Sequence, residues 1–163
     1  MRERIWSELG QAKHNHFYSC FLLARQRRWL NYYNMTILAF SSGGVMGWAI
    51  WKNLPLLSCI IVATISLAKL LSPHIMPSEK QIDKLDQISD FYFDYYNKIE
   101  QIWYDHYNDR ITDEQAQARF YEIKNTERDI GKIVNEIVKS INKRIYIRAD
   151  QETRNYLSNN FNV

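Results

Sequence analysis

The chain has no glycine-rich phosphate loop, no nucleophile elbow and no paired-cysteine zinc motif, so none of the common catalytic signatures is present. Its two cysteines, Cys20 and Cys59, are too few for a disulfide framework. No small-residue cleavage site follows a charged start, and the first apolar segment begins too far in for a cleaved signal peptide, so no processing is expected. Internal repeats and low-complexity linkers are also missing. These absences argue against an enzyme and imply neither a cofactor nor a metal.

What is present is apolar length. Averages hide it: the 163 residues are 24% charged, and the mean hydropathy is −0.44. Yet residues 35–51 (MTILAFSSGGVMGWAIW) and 54–75 (LPLLSCIIVATISLAKLLSPHI) are strongly apolar, and only Lys52 and Asn53 separate them. A transmembrane helix needs roughly 17–25 mostly apolar residues, which both segments supply. So short a link leaves room only for a tight helical hairpin. With ~40 residues in lipid, the rest is too short for a large separate core.

The alternative is a soluble bundle with two buried core helices. Aromatic placement weighs against it. Trp29, Tyr32 and Tyr33 stand at one end of the first segment, Trp48 and Trp51 at the other. Trp29 to Trp51 spans ~33 Å of helix, close to the hydrocarbon thickness, and aromatic belts mark both interfaces of membrane helices. Arg25, Arg27 and Arg28 precede the hairpin and Lys80 and Lys84 follow it, whereas its turn carries only Lys52. The positive-inside rule then places both termini in the cytoplasm. Cys20 would face a reducing compartment, and Cys59 would be a small membrane-helix residue.

Residues 2–28 predict an amphipathic helix, with Ile5, Leu9, Ala12, His16, Cys20 and Leu23 at spacings of three and four. Its basic residues, Arg2, Arg4, Lys13, Arg25, Arg27 and Arg28, outnumber Glu3 and Glu8. Two placements are open: on anionic headgroups, or packed against the C-terminal helices. After the hairpin, Ser78 with Gln81 predicts a capping box and a helix to about Asn108, with an apolar stripe of Ile82, Leu85, Ile88, Tyr92, Tyr95, Ile99 and Ile102. Thr112 with Gln115 predicts a second box after the turn Asn108-Asp109-Arg110. The next helix carries a heptad of Ala116, Phe120, Ile123, Ile130, Val134, Ile137 and Ile141, with Glu127 at the one polar seam position and Gly131 as a weak point. A short turn makes these helices antiparallel, with Asp94 expected near Arg128 and Asp90 near Lys132. A last short helix is expected from about Asp150, docking through Tyr156, Leu157 and Phe161.

His14, His16 and Cys20 cluster in sequence, but only His16 and Cys20 share a helix face, too few ligands for zinc. Asp83, Asp86, Asp90 and Asp94 line one face of the helix after the hairpin, but this stripe lacks the Glu-x-x-His pattern of carboxylate-bridged metal bundles. Basic residues are too dispersed for a nucleic-acid surface. The informative residues lie in the hairpin. Ala39, Gly43 and Gly47 repeat at intervals of four, a ridge that lets helices approach closely in lipid, within one hairpin or between subunits. Ser58, Ser66 and Lys69 fall near one face of the second segment. Lys69 either snorkels to the interface or lines an aqueous path. One hairpin cannot enclose water, so a pore needs several copies.

This layout resembles the SLATT family, two-transmembrane effectors of bacterial conflict systems. The shared plan is an amphipathic N-terminal helix, a tight membrane hairpin and a helical cytoplasmic tail, here residues 2–28, 35–75 and 78–160. The run FYFDYYNKIEQIWYDHY after the hairpin has the family's character. The family has no catalytic motif, so no site residue is carried over. The resemblance implies an oligomeric pore-former of the bacterial inner membrane, acting in anti-phage defence and triggered by a cytoplasmic sensor or activator or its second messenger.

The expectation is therefore an all-α membrane protein of three parts: an N-terminal amphipathic helix (1–34), a transmembrane hairpin (35–76) and a cytoplasmic helical domain (77–163) made of an antiparallel hairpin plus a short C-terminal helix. Expected partners are the lipid bilayer, other copies of the chain and a cytoplasmic activator, without nucleic acid. The alternative is a non-conducting anchored scaffold that recruits a cytoplasmic partner through its helical domain.

Overall fold

The computed structural model describes residues 1–46 and 55–161, and within them not the side chains of 40–46, 55–59, 61 and 73–75. Among the described residues the chain is all-helical: α1 (Arg2–Met46), α2 (Pro55–Ile75), α3 (Glu79–Tyr107), α4 (Asp113–Ile137) and α5 (Lys143–Phe161). It divides into two compact units, Met1–Leu23 with Asp83–Val163, and Ala24–Ile82.

In the first unit the N-terminal part of α1 joins α3, α4 and α5 in a helical bundle. Of its two open placements, residues 2–23 take the packed one. Ile5, Leu9 and Ala12 are buried together with Leu85, Tyr95, Ile99, Ala116, Phe120 and Ala149. Each large apolar side chain removed from water contributes about 1.5–3 kcal/mol, which outweighs modest helix propensity. The whole stripe expected on α3 is buried.

Local chemistry sets the helix ends. Ser78 and Gln81 exchange bonds of 3.0 and 3.3 Å, and Thr112 and Gln115 form the second capping box. Between α3 and α4, Asp109 is left-handed (φ 53°), with Arg110 N–H donating to Asp105 O (2.8 Å) and Asp109 N–H to His106 O (3.3 Å). That is a Schellman stop with aspartate where glycine is usual.

Three cross-helix contacts run antiparallel along α3 and α4: Arg119 to Asp105 (3.4 Å), Tyr92 to Glu127 (3.4 Å) and Lys84 to Glu136 (2.6 Å). The expected Asp94–Arg128 and Asp90–Lys132 pairs do not form among the described residues. Lys132 bonds Asp129 on its own helix (3.0 Å), and Asp90 lies on the side of α3 near His16 of α1. The heptad also ends early. Ala116, Phe120 and Ile130 are buried, but α4 stops at Ile137, and Ile141 is exposed in the link that follows. The last helix starts at Lys143, seven residues before the expected Asp150. Asn142 caps it, accepting from Ile145 N–H at 3.2 Å.

A Cβ built on Gly131 of α4 would meet nothing within 4 Å. Gly131→Ala is therefore expected to raise unfolding free energy by about 1 kcal/mol, by removing backbone entropy from the unfolded chain at no steric cost. Urea denaturation checks this; a lower midpoint would contradict it.

In the second unit α1 residues 24–46 lie beside α2. Tyr33 OH donates to Ala68 O at 3.4 Å. Tyr33 stands thirteen residues before the end of α1 at Met46, and Ala68 thirteen after the start of α2 at Pro55, so the two helices run antiparallel. Among the described residues no helix is long and apolar enough to cross a membrane. The expected segments 35–51 and 54–75 fall only partly within the described residues.

Candidate functional site

The second unit exposes an apolar surface. On α1, Gln26, Leu30, Tyr33 and Ile37 are half-buried on one side, and Arg25, Arg28, Trp29, Tyr32, Met35 and Leu38 are exposed. On α2, Ile60, Val62, Leu67, Leu70 and Leu71 are all exposed. At 100° per residue Ile60, Leu67 and Leu71 share one side, whereas Val62 and Leu70 point elsewhere, so α2 is apolar around most of its girth. Two threonine hydroxyls are satisfied within their own helices: Thr36 donates to Tyr32 O (2.7 Å) and Thr64 to Ile60 O (2.8 Å). Such back-bonding leaves them with no need of water.

The residues singled out from sequence divide as follows. Trp29 and Tyr32 are exposed, whereas Tyr33 turns inward to bond α2. Ser66 and Lys69 are exposed on α2, and Ala39 on α1. Gly43 lies within helical α1, and Ser58 within α2 with its side chain outside the described residues. Gly47, Trp48 and Trp51 lie outside the described residues, as does the Cys59 side chain.

Glu127 belongs to a polar cluster within the bundle. Its carboxylate accepts from Tyr92 OH (3.4 Å) and Lys124 Nζ (3.5 Å). Glu8 of α1 accepts from Tyr95 OH (2.8 Å) and from Lys124 Nζ (2.7 Å). Three helices thus meet on two carboxylates. Burial and then Glu127 push the Tyr92 hydroxyl up to about 12, and burial and then the bond to Glu8 push Tyr95 up. Burial pulls the Lys124 ammonium down, but the bond and charge of Glu8, with Glu127, outweigh it and the net direction is up.

Lys13 departs from the basic face expected of it. It is buried, with Nζ 3.6 Å from the ring centres of both Tyr96 and Tyr156 and 5.2 Å from that of Phe17. Tyr156 OH donates to Glu100 (2.6 Å), which ties α5 to α3 around the trapped cation. Burial pulls the Lys13 ammonium down to about 8, against the opposing charge of Glu100. Two ring faces replace part of its lost hydration. Lys13 lies four residues after Leu9 and four before Phe17, on the edge of the buried stripe, but that spacing alone does not mark a charged residue as buried.

Among the described residues no group of three His, Cys, Asp or Glu side chains is placed to hold a metal. His16 Nδ1 lies 3.3 Å from Ser89 O, and Cys20 Sγ lies 3.1 Å from Ser89 Oγ and 3.7 Å from His16 Nε2. Burial holds His16 below the usual imidazole range, partly offset by the Ser89 carbonyl, and burial does the same to His14 against Asp150. These contacts fasten α1 to α3. The bundle also carries an open groove of about 660 Å³, whose lining includes His14, Tyr18, Val134, Ile141, Tyr146 and Leu157.

Comparison of the chain with protein-family models, curated proteins and solved structures finds no match.

Proposed function

We propose that the chain is an oligomeric effector of the bacterial inner membrane. Residues 35–75 insert as a hairpin, and the helical bundle receives a cytoplasmic signal. The observation that carries the reading is the outward apolar surface of α1 and α2, with Met35, Leu38, Ile60, Val62, Leu67 and Leu70 all exposed. Water makes so extensive an apolar surface costly, while lipid or neighbouring hairpins make it favourable. Self-bonded Thr36 and Thr64 suit the same surroundings. Neighbouring copies would pack through the ridge of Ala39, Gly43 and Gly47, and a path would form along Ser58, Ser66 and Lys69.

The test is expression of the full chain in bacterial cells, followed by carbonate washing of membranes and a potential-sensitive dye. Retention in washed membranes with depolarisation on triggering is the expected result. Recovery in the aqueous fraction overturns the membrane reading. Retention without depolarisation, and preserved function after exchanging the hairpin for an unrelated anchor, supports the scaffold reading instead. That reading is favoured by the open groove of the bundle, with exposed Ile141 and Tyr146 at its lining.

A further inference from the structure

Charge is distributed very unevenly between the two units. Residues 24–82 hold six of the 21 Lys and Arg (Arg25, Arg27, Arg28, Lys52, Lys69, Lys80) and one of the 18 Asp and Glu (Glu79). Six minus one gives +5 for this unit; the remaining fifteen basic and seventeen acidic residues give −2 for the other, which together make the chain's +3. All the excess positive charge therefore sits on the unit with the exposed apolar surface.

Its placement along α1 is ordered. Arg25, Arg28, Trp29, Tyr32, Met35 and Thr36 fall within about 120° of one another at 100° per residue, and all are exposed. From one end to the other this face passes from cationic to aromatic to aliphatic and hydroxyl side chains over ~17 Å. Arg28 uses Nε on its own helix, donating to Ala24 O at 3.2 Å, which leaves its two terminal amino groups directed away from that bond. On the antiparallel neighbour, the Tyr33–Ala68 bond sets Lys69, also exposed, at the level of Tyr32.

We propose that Arg25, Arg28, Trp29 and Tyr32 of α1, with Lys69 of α2, form a docking surface for the headgroups of anionic phospholipids. This rests on the membrane reading above and specifies which lipid the hairpin selects. The arginines offer planar donor pairs to a phosphodiester. The aromatic rings sit where an amphipathic ring is favoured, between headgroup and chain. The lysine reaches the same layer along its apolar stem. Of the available anions, a bilayer lipid is favoured because the cationic end of the face runs directly into an apolar one, which a free phosphate would not use.

The test is native mass spectrometry of the full chain in detergent, titrated with phosphatidylglycerol or with phosphatidylcholine. Phosphatidylglycerol should be retained more tightly, and Arg25→Gln and Arg28→Gln should each weaken it about fivefold while leaving phosphatidylcholine unchanged. Added salt should erode the preference. Both arginines are exposed, so the helical content and melting of these variants should match the parent. Equal retention of the two lipids, or variants that leave the preference intact, overturns this inference while the membrane reading stands. A chain that retains neither lipid and stays in solution without detergent overturns both.

Discussion

Val62→Asp is expected to weaken membrane insertion about a hundredfold, and Ile60→Asp by a similar factor. Both side chains are largely exposed, at 61% and 57%. Near the middle of a membrane helix an aspartate costs about 3 kcal/mol, and each 1.4 kcal/mol is tenfold in an equilibrium. The same substitution on a helix face in water has almost no cost, since an exposed valine has no packing to lose and the propensity difference is a few tenths of a kcal/mol. The two surroundings therefore predict different outcomes for one variant. Partition of the full chain between washed membranes and supernatant measures it. A variant that stays in the membrane fraction as the parent does would remove α2 from the lipid. The effect should also depend on position, because Lys69 is already tolerated near the Tyr33 level, where a charged head can reach the interface.

The bundle's long helices were legible in sequence because two independent signals agreed on each. On α3 the 3.6-residue stripe fixed the buried side and the Ser78–Gln81 box fixed the start; both are found. On α4 the Thr112–Gln115 box did the same. Where one signal stands alone, the sequence pattern and the structure part. Asn142 caps α5, but Ile145 rather than Glu or Gln follows three residues later, so no box announced the start. Ile141 kept the heptad after the helix had ended, because spacing alone carries no stop signal. Distance from the turn aligns Asp90 with Lys132, but α1 takes that side of α3, which no spacing along α3 and α4 reveals.

The candidate surfaces follow the same division. That the second unit is apolar and basic could be read directly from composition. Which side of α1 turns outward could not, because residues 29–39 offer apolar or aromatic side chains on every side; the inward Tyr33 beside outward Tyr32 is decided by packing on α2. Lys13 shows the opposite failure. Its charge marked it as surface, whereas the Tyr96 and Tyr156 rings, far apart in sequence, make a buried place for it.

Glu8→Ala is expected to cost the bundle about 2–3 kcal/mol of unfolding free energy. Glu8 joins α1 to both α3 and α4, through Tyr95 OH at 2.8 Å and Lys124 Nζ at 2.7 Å. Tyr95 is almost wholly buried, so losing its acceptor leaves a hydroxyl out of reach of water, a penalty of about 1–3 kcal/mol. Lys124 is more exposed and can turn to solvent, so its share is under about 1 kcal/mol. Glu8→Gln keeps an acceptor for Tyr95 and should cost about 1 kcal/mol. Tyr95→Phe removes the orphaned hydroxyl itself, so adding it to Glu8→Ala should restore part of the loss instead of compounding it. Chemical denaturation of the four proteins checks the cycle; simple additivity would show that the 2.8 Å contact carries no energy. The same contacts satisfy a carboxylate that stands next to the buried Leu9 in sequence. Glu8 reaches Tyr95 and Lys124 together in the observed register, and so adds to the contacts of Lys13, His16 and Cys20 that hold α1 against α3.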